Sequence, residues 1–397
     1  MDEAQSPATR LLERLLARGE SAHARGQARV PALTFAKAPE YAALGSLDEV
    51  ERFHGQLADA QRAGAIVVER EPGNSQPAAV RLADLERLAA HLGVRSRRDR
   101  VEEAGRLLAP WVATNPVLEE VLERWALGKP VRGSGPEAAT TLRDALWAID
   151  RRHEDGHSER ILRRESVRLF GDSKHIEKIT GWLELVTTGE LSNSGLGPDD
   201  IWGSLGLRRE PQPMLVSGEG EVALADSALP LRGPYLGLPV DAVRSITTDA
   251  AYLLTIENLA SFHDAARQRS RSNSAGLLVY TAGMPSPPWR ALYRRLLADL
   301  RPGAAVYHWG DIDEGGFRIA ATLAADARAE GRTLLPWSME PSVLDSLPRE
   351  PTRPTPAVLA RMRHWAAAAG WEWIAQGLEA TPLQLEQEAL DPVLPAA

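Results

Sequence analysis

Residues 304–319 read AAVYHWGDIDEGGFRI. Ala304 to Tyr307, with Trp309, are mostly apolar and rich in strand formers, so the stretch opens as a buried β-strand. Gly310 breaks it and Asp311 and Asp313 stand at its end. Glu314-Gly315-Gly316 make the turn, and Phe317 to Ala327 carry apolar residues at helical spacing. In a parallel α/β sheet, ligands bind in the crevice outside the carboxyl ends of the strands. Two carboxylates two residues apart on such a turn can share a divalent cation, which takes hard oxygen ligands. A turn that uses Asp and Gly for backbone reasons fits the same letters. This stretch alone leaves both readings open.

Around it the pattern is α/β from Met214 onward. Residues 214–217 and 222–224 predict a hairpin, and 235–239 an irregular connection. A continuous apolar strand at 251–256 ends in Glu257, with a helix over 258–267 behind it. Another strand follows at 276–280, then a helix at 288–300, the Asp311 strand and its helix, and a strand at 333–337. Strands alternating with helices predict a parallel sheet with right-handed crossovers. Helices are expected at 356–369 and 371–377. Thr381-Pro382-Leu383 reads as the start of a last short helix carrying Glu386-Gln387-Glu388.

The first half is mainly helical. Residues 8–27 form an amphipathic helix with Leu11, Leu12, Leu15 and Leu16 on one side, too short to stand undocked. Ser46 or Asp48 can cap a helix carrying Val50, Phe53 and Leu57. A strand at 66–70, a turn at Pro72-Gly73-Asn74, a strand at 78–82 and a helix at 82–92 follow. Helix, hairpin, helix is compatible with a winged-helix-type unit, and equally with a small structural module. The basic run 95–100 reads as a solvated linker, with helices at 101–112, 115–127 and 137–149. Between Arg151 and Arg168 stand six arginines, then the turn Phe170-Gly171-Asp172-Ser173-Lys174. Such a segment suits phosphate contacts, and a charged surface helix reads the same way. The Gly-, Ser- and Pro-rich residues 188–200 mark a domain boundary.

Composition narrows the function classes. The 397 residues predict two or three domains, and 44% hydrophobic with 25% charged residues is ordinary for a soluble protein. No apolar run nears the ~20 residues of a membrane span and no signal-peptide layout opens the chain, so no membrane role and a cytoplasmic place are expected. Without cysteine there is no disulfide, thiolate–zinc or cysteine-nucleophile chemistry. A net charge of −8 means that any DNA contact must use local basic patches or a partner. His153 and His157, four apart around Gly156, read as a solvated turn rather than a zinc site. Trp289, Trp337, Trp371 and Trp373 read as core and interface filling.

Glu257 at one strand end, with Asp311 and Asp313 at another, would reach one crevice if the strands are neighbours. They could there hold one or two Mg²⁺ or Mn²⁺ ions, as phosphoryl-transfer sites do. With these residues in view, Ile256-Glu257-Asn258-Leu259 and Gly310-Asp311-Ile312-Asp313-x-Gly315-Gly316 resemble the Toprim domain of topoisomerases, primases and some nucleases. Together with Leu254 to Phe262, Tyr307 to Asp313, Phe170 to Lys174 and Glu386-Gln387-Glu388, the set resembles the JetD family, nuclease subunits of the Wadjet anti-plasmid defence system. The likeness spans roughly residues 150–390.

The resemblance implies a metal-dependent DNA endonuclease related to the A subunit of topoisomerase VI. It implies a layout of three parts. These are an N-terminal arm with a winged-helix-like module (1–95), a CAP-like winged-helix domain (96–190) and an α/β Toprim nuclease domain, a parallel sheet flanked by helices (191–397). Glu257, Asp311 and Asp313 would be catalytic and metal-binding, joined by Glu388 and less directly by Glu386. Implied partners are double-stranded circular plasmid DNA, an SMC-like ATPase with its kleisin and accessory subunits, and a second copy of the chain. Arg160, Arg163, Arg164, Arg168 and Lys174 would line the DNA. The attacking tyrosine of topoisomerase VI, in an Arg-x-x-Tyr-Tyr motif, has no counterpart: Arg164-Glu165-Ser166-Val167-Arg168 is the nearest match, and no Tyr lies between Tyr41 and Tyr235. Hydrolysis by activated water is therefore expected rather than a phosphotyrosyl link. A topoisomerase-like breaking enzyme and a non-catalytic DNA-binding scaffold are the rival readings. A haloacid-dehalogenase-type phosphatase is not, because two β-α units precede the Asp-x-Asp pair and no Lys follows Asp313.

Overall fold

In the computed structural model the described residues are 5–27, 30–70, 77–155, 158–210, 212–342 and 351–396. They fall into two compact units, Met1–Arg143 and Asp144–Ala397, so the expected 96–190 segment contributes to both. The turn expected at Pro72-Gly73-Asn74, and His157, lie outside the described residues.

The first unit is helical around a small antiparallel sheet. Ser6 caps the helix Pro7–Ala24 by accepting from the Thr9 N–H, and the buried Leu11, Leu12, Leu15 and Leu16 dock it. Ser46 caps Leu47–Arg62, whose buried Phe53, Leu57 and Ala60 join the same core. Ile66–Arg70 and Pro77–Leu82 pair antiparallel as expected, and Ala32–Thr34 adds a third strand beside the second. The run expected as a solvated linker instead starts a helix, Arg97–Val112. Ser96 caps it, Arg97 reaches Glu20 at 3.3 Å, and Arg98 pairs with Glu102 one turn on.

The second unit is a mixed α/β domain on a six-stranded sheet. Its order is Leu334–Pro336, Ala305–Trp309, Tyr252–Ile256, Gly276–Tyr280, Met214–Ser217, Leu236–Leu238. The first four strands are parallel, Met214–Ser217 runs against them, and Leu236–Leu238 pairs antiparallel with Met214–Ser217. All five residues of Tyr252–Ile256 are buried, as a strand covered on both faces requires. The helices Leu259–Ser272, Pro287–Asp299 and Glu314–Ala329 supply the cover through Phe262, Trp289, Leu296, Phe317 and Leu323.

Two expectations fail here. Met214–Ser217 and Gly220–Ala223 make no hairpin: the first, buried throughout, joins the main sheet, while the second pairs with Ala228–Leu231 and Ser245–Thr247 in a separate sheet. Residues expected to connect irregularly form the edge strand Leu236–Leu238.

Strand order places the crevice. From Tyr252–Ile256 the chain crosses to Gly276–Tyr280 on one side, then returns to Ala305–Trp309 on the other. Direction reverses between the Glu257 strand and the Asp311 strand, and such a switch point opens a ligand crevice at the carboxyl ends.

Candidate metal centre

The parallel register pairs Ile256 with Trp309, so Glu257 and Gly310 leave the sheet side by side. The Glu257 N–H donates to Trp309 O at 3.0 Å, and Glu257 Oε2 accepts from the Asp311 N–H at 3.2 Å. A Cβ on Gly310 would collide with that carboxylate, so glycine is needed for the approach. Gly316 answers the same need one turn later, where a Cβ would strike Asp311 O. Asp313 is also the N-cap of Glu314–Ala329, accepting from Gly316 N–H at 2.7 Å. The backbone use of Asp holds for that residue.

The chain's last segment closes the crevice, and not as the expected helix. Leu385 bridges Ile312 antiparallel through hydrogen bonds of 2.8 and 3.1 Å, and only a 3-10 turn, Gln387–Ala389, follows. Gln387 is buried and fastens it. Its N–H donates to Asp311 Oδ1 at 2.6 Å, its Nε2 to Trp309 O at 3.2 Å, and its Oε1 accepts from Asn258 N–H at 2.8 Å. Asn258 Nδ2 donates to Glu388 Oε1 at 2.5 Å, while its Oδ1 caps the helix Leu259–Ser272. Asp311, Glu386 and Glu388 thus offer oxygens within 4.8 Å of one another.

Electrostatics set this cluster apart. Burial, then repulsion by Asp311 and Asp313, raises Glu257 well above the ordinary carboxylate range. Burial pushes Asp311 up to about 7, with Asp313, Glu386 and Glu388 adding to it. Asp313 is raised by burial and by Asp200. The charged neighbours with the largest effect on these three are carboxylates. Mutual repulsion among hard oxygen donors is relieved by protons or by a divalent cation, so the donor set fits Mg²⁺ or Mn²⁺.

Asp200, itself raised by burial, belongs to this field and had no signal in the sequence. It sits in the helix Pro198–Ser204, accepting from Gly197 N–H at 3.2 Å and Met284 N–H at 2.7 Å. His308, beside the site, is fully buried and held neutral, its pKa lowered to about 3 by burial.

The basic residues are arranged otherwise. Glu165, buried in Leu162–Phe170, is forked by Arg168 at 2.6 and 2.9 Å and approached at 3.8 Å by Arg152 and Arg160. Asp155 binds the same three arginines at 2.8 to 3.3 Å. Arg163 lies 3.4 Å from Glu177, and Arg164 makes no ion pair among the described residues. Lys174 is exposed; Asp172 accepts only its backbone N–H and pairs instead with Lys178 at 2.7 Å. His153 is exposed, Trp289 and Trp371 are core, and Trp373 is 53% exposed.

Two family profiles cover most of the chain. Residues 215–396 match "Wadjet protein JetD, C-terminal", and residues 7–187 match "Uncharacterized protein conserved in bacteria N-term (DUF3322)". The chain belongs to the JetD family. It is 24% identical over 123 residues to the Wadjet protein JetD of Bacillus cereus (strain Q1), a match spanning 29% of this JetD-family chain and 29% of that protein. No helix among the described residues is long and apolar enough to cross a membrane.

Proposed function

We propose that this chain is a divalent-metal-dependent DNA endonuclease, the cutting subunit of a Wadjet-type system directed at circular plasmid DNA. The observation that carries the reading is the grouping of Asp311 with Glu386 and Glu388, to which Glu257 and Asp313 are tied by repulsion from Asp311's carboxylate, at one switch point. A Toprim domain built on the six-stranded sheet, winged-helix parts ahead of it, a homodimer and an SMC-like ATPase with its kleisin and accessory subunits complete the proposal.

Glu257, Asp311 and Glu388, with Glu386, would hold Mg²⁺ or Mn²⁺, and Asp313 would orient the turn that carries Asp311. When bound, such a cation supplies Lewis-acid stabilisation of the growing phosphate charge and lowers the pKa of water. The residues do the rest. Gln387 fixes the carboxylate strap against Asp311, and the exposed Arg163, Arg164 and Lys174 meet DNA phosphates. Water attacks phosphorus as the P–O bond breaks, and the proton that the water gives up balances the one the leaving oxygen takes, so one water is added across the bond. A phosphotyrosyl route lacks its tyrosine: the half-buried Tyr41 stacks on Phe35 and His54 against the first unit's core.

The test is plasmid nicking and linearisation with Mg²⁺ or Mn²⁺, alone and with the ATPase partner, comparing wild type, Asp311→Ala and Glu257→Ala. Cutting by wild type alone is the expected result. Equal cutting by all three would sink the reading, and a protein–DNA adduct on a denaturing gel would sink hydrolysis.

A further inference from the structure

The first unit sets a strand edge with open backbone groups beside arginines that the fold leaves free. In its three-stranded sheet, Ala32–Thr34 pairs only with Pro77–Leu82, and its other edge meets no strand among the described residues. Leu82 N–H donates to Pro31 O at 3.0 Å, which makes Pro31 and Leu82 a hydrogen-bonded pair. Such pairs alternate along an antiparallel ladder. Leu33 therefore turns its N–H and C=O toward Val80, while Ala32 turns both groups outward and Thr34 its N–H. Ala32 and Thr34 are exposed, and these outward groups have no partner among the described residues. An edge of this kind is a template for pairing with another chain.

A groove of about 610 Å³ adjoins the start of that strand. One wall carries Arg14 and Arg18 of the helix Pro7–Ala24, with Arg25 just past its end; the other is Val30, Pro31 and Ala32. No carboxylate lines it among the described residues. Arg18 and Arg25 are exposed and make no ion pair among the described residues. Arg14 reaches Glu40 at 2.6 Å and keeps a buried Nε without a partner. Arg14 and Arg18 stand about 6 Å apart along the helix axis. Side chains on one face of an extended strand recur every ~6.7 Å, so carboxylates at alternate positions match arginines four residues apart.

We propose that this groove takes an extended acidic segment of a partner protein, added as a strand beside Ala32–Thr34. Pairing with the outward backbone groups supplies affinity, and carboxylates on Arg14, Arg18 and Arg25 supply the choice of partner. A DNA backbone suits the arginines alone, because it offers only acceptors and the outward Ala32 C=O needs a donor. The inference goes beyond the cutting reading, and either can fail without the other.

The probe is a fluorescein-labelled octapeptide of alternating Glu and Val, titrated with the full chain and followed by anisotropy. It should bind about tenfold more tightly than its Lys-Val counterpart, and Arg18→Glu with Arg25→Glu should erase that preference. N-methylating alternate peptide residues removes the donors that would meet the edge and keeps the charge. That change should weaken binding about tenfold, with no alteration to the protein. Amide exchange at Ala32 and Thr34 should slow when the parent peptide is bound. Failure of the Glu peptide to bind overturns the proposal, as does equal binding of the Glu and Lys peptides. An N-methylated peptide that binds as well as its parent overturns strand addition. A DNA duplex that binds through Arg18 and Arg25 without slowing exchange at Ala32, where the Glu peptide does not bind, would assign the groove to nucleic acid instead.

Discussion

The carboxylate crevice and the arginine segment are both clusters of like charge in sequence, yet they resolve in opposite ways. At the crevice, Glu257, Asp311 and Asp313 meet further acids and are raised by burial and mutual repulsion. Between Arg151 and Arg168, two acids sit inside the basic run and bind three of its arginines. One cluster keeps its charge unbalanced and calls for a ligand. The other is a self-neutralised clamp. What marks a candidate site is therefore unpartnered charge after folding, rather than charge density along the chain.

The largest effect should come from breaking the clamp. Glu165→Ala removes the buried carboxylate shared by Arg152, Arg160 and Arg168 and leaves the buried Arg152 with Asp155 alone, and removing one partner of a buried pair costs about 3–5 kcal/mol. Urea denaturation should report a loss of that size; a change within about 0.5 kcal/mol, typical of surface sites, would erase the contrast. In the crevice the sign reverses. Asp311→Asn removes a repelling charge, so in EDTA at neutral pH it should melt at or above wild type. Metal-dependent cutting by the same variant should fall more than about 100-fold. Asp313→Ala is the poorer probe, because it also removes a helix cap worth about 1 kcal/mol.

Legibility followed the range of the interactions. The Asp311 strand, its turn and its helix were readable because apolar spacing and glycine placement are local. Glu257 was readable as the polar end of a continuous apolar strand. The closing segment was not. Leu383, Leu385 and Gln387 turn inward at alternate positions, a strand signal, but the extended segment is held by distant bridges, Ile312 with Leu385 and Thr352 with Gln384. Asp200 looks like any acid at a helix start. The arginines hid their fate because a sequence does not reveal that Glu165 folds inward beneath them.

Acidity gives a further lever on the crevice. Asp311 has a folded pKa of about 7 against an ordinary value of 3.8, so between those values the folded state holds more protons than the unfolded one. Stability must then fall as pH rises through this window, the reverse of a salt-bridged carboxylate. In EDTA the melting temperature should decline from pH 5 to pH 8, and Asp311→Asn should flatten the decline. Mg²⁺ or Mn²⁺ should restore most at pH 8, where the carboxylates are ionised. A melting curve that rises across this range would show that the acids are already balanced.

The smallest expected effect sharpens the other half of the comparison. If the clamp arginines are spent on Asp155 and Glu165, three of the five expected DNA contacts still face outward: Arg163, Arg164 and Lys174. Each phosphate contact contributes about 0.9 to the slope of log K against log salt. Arg164→Ala and Lys174→Ala should each lower that slope by about one, with stability changed by less than about 0.5 kcal/mol. Arg160→Ala should leave the slope nearly unchanged, since its guanidinium already faces Asp155 at 3.1 Å. Equal slopes for Arg164→Ala and wild type, with a reduced slope for Arg160→Ala, would mean that DNA opens the clamp and recruits its arginines. The basic segment would then resemble the crevice after all, holding its charge in reserve for a ligand.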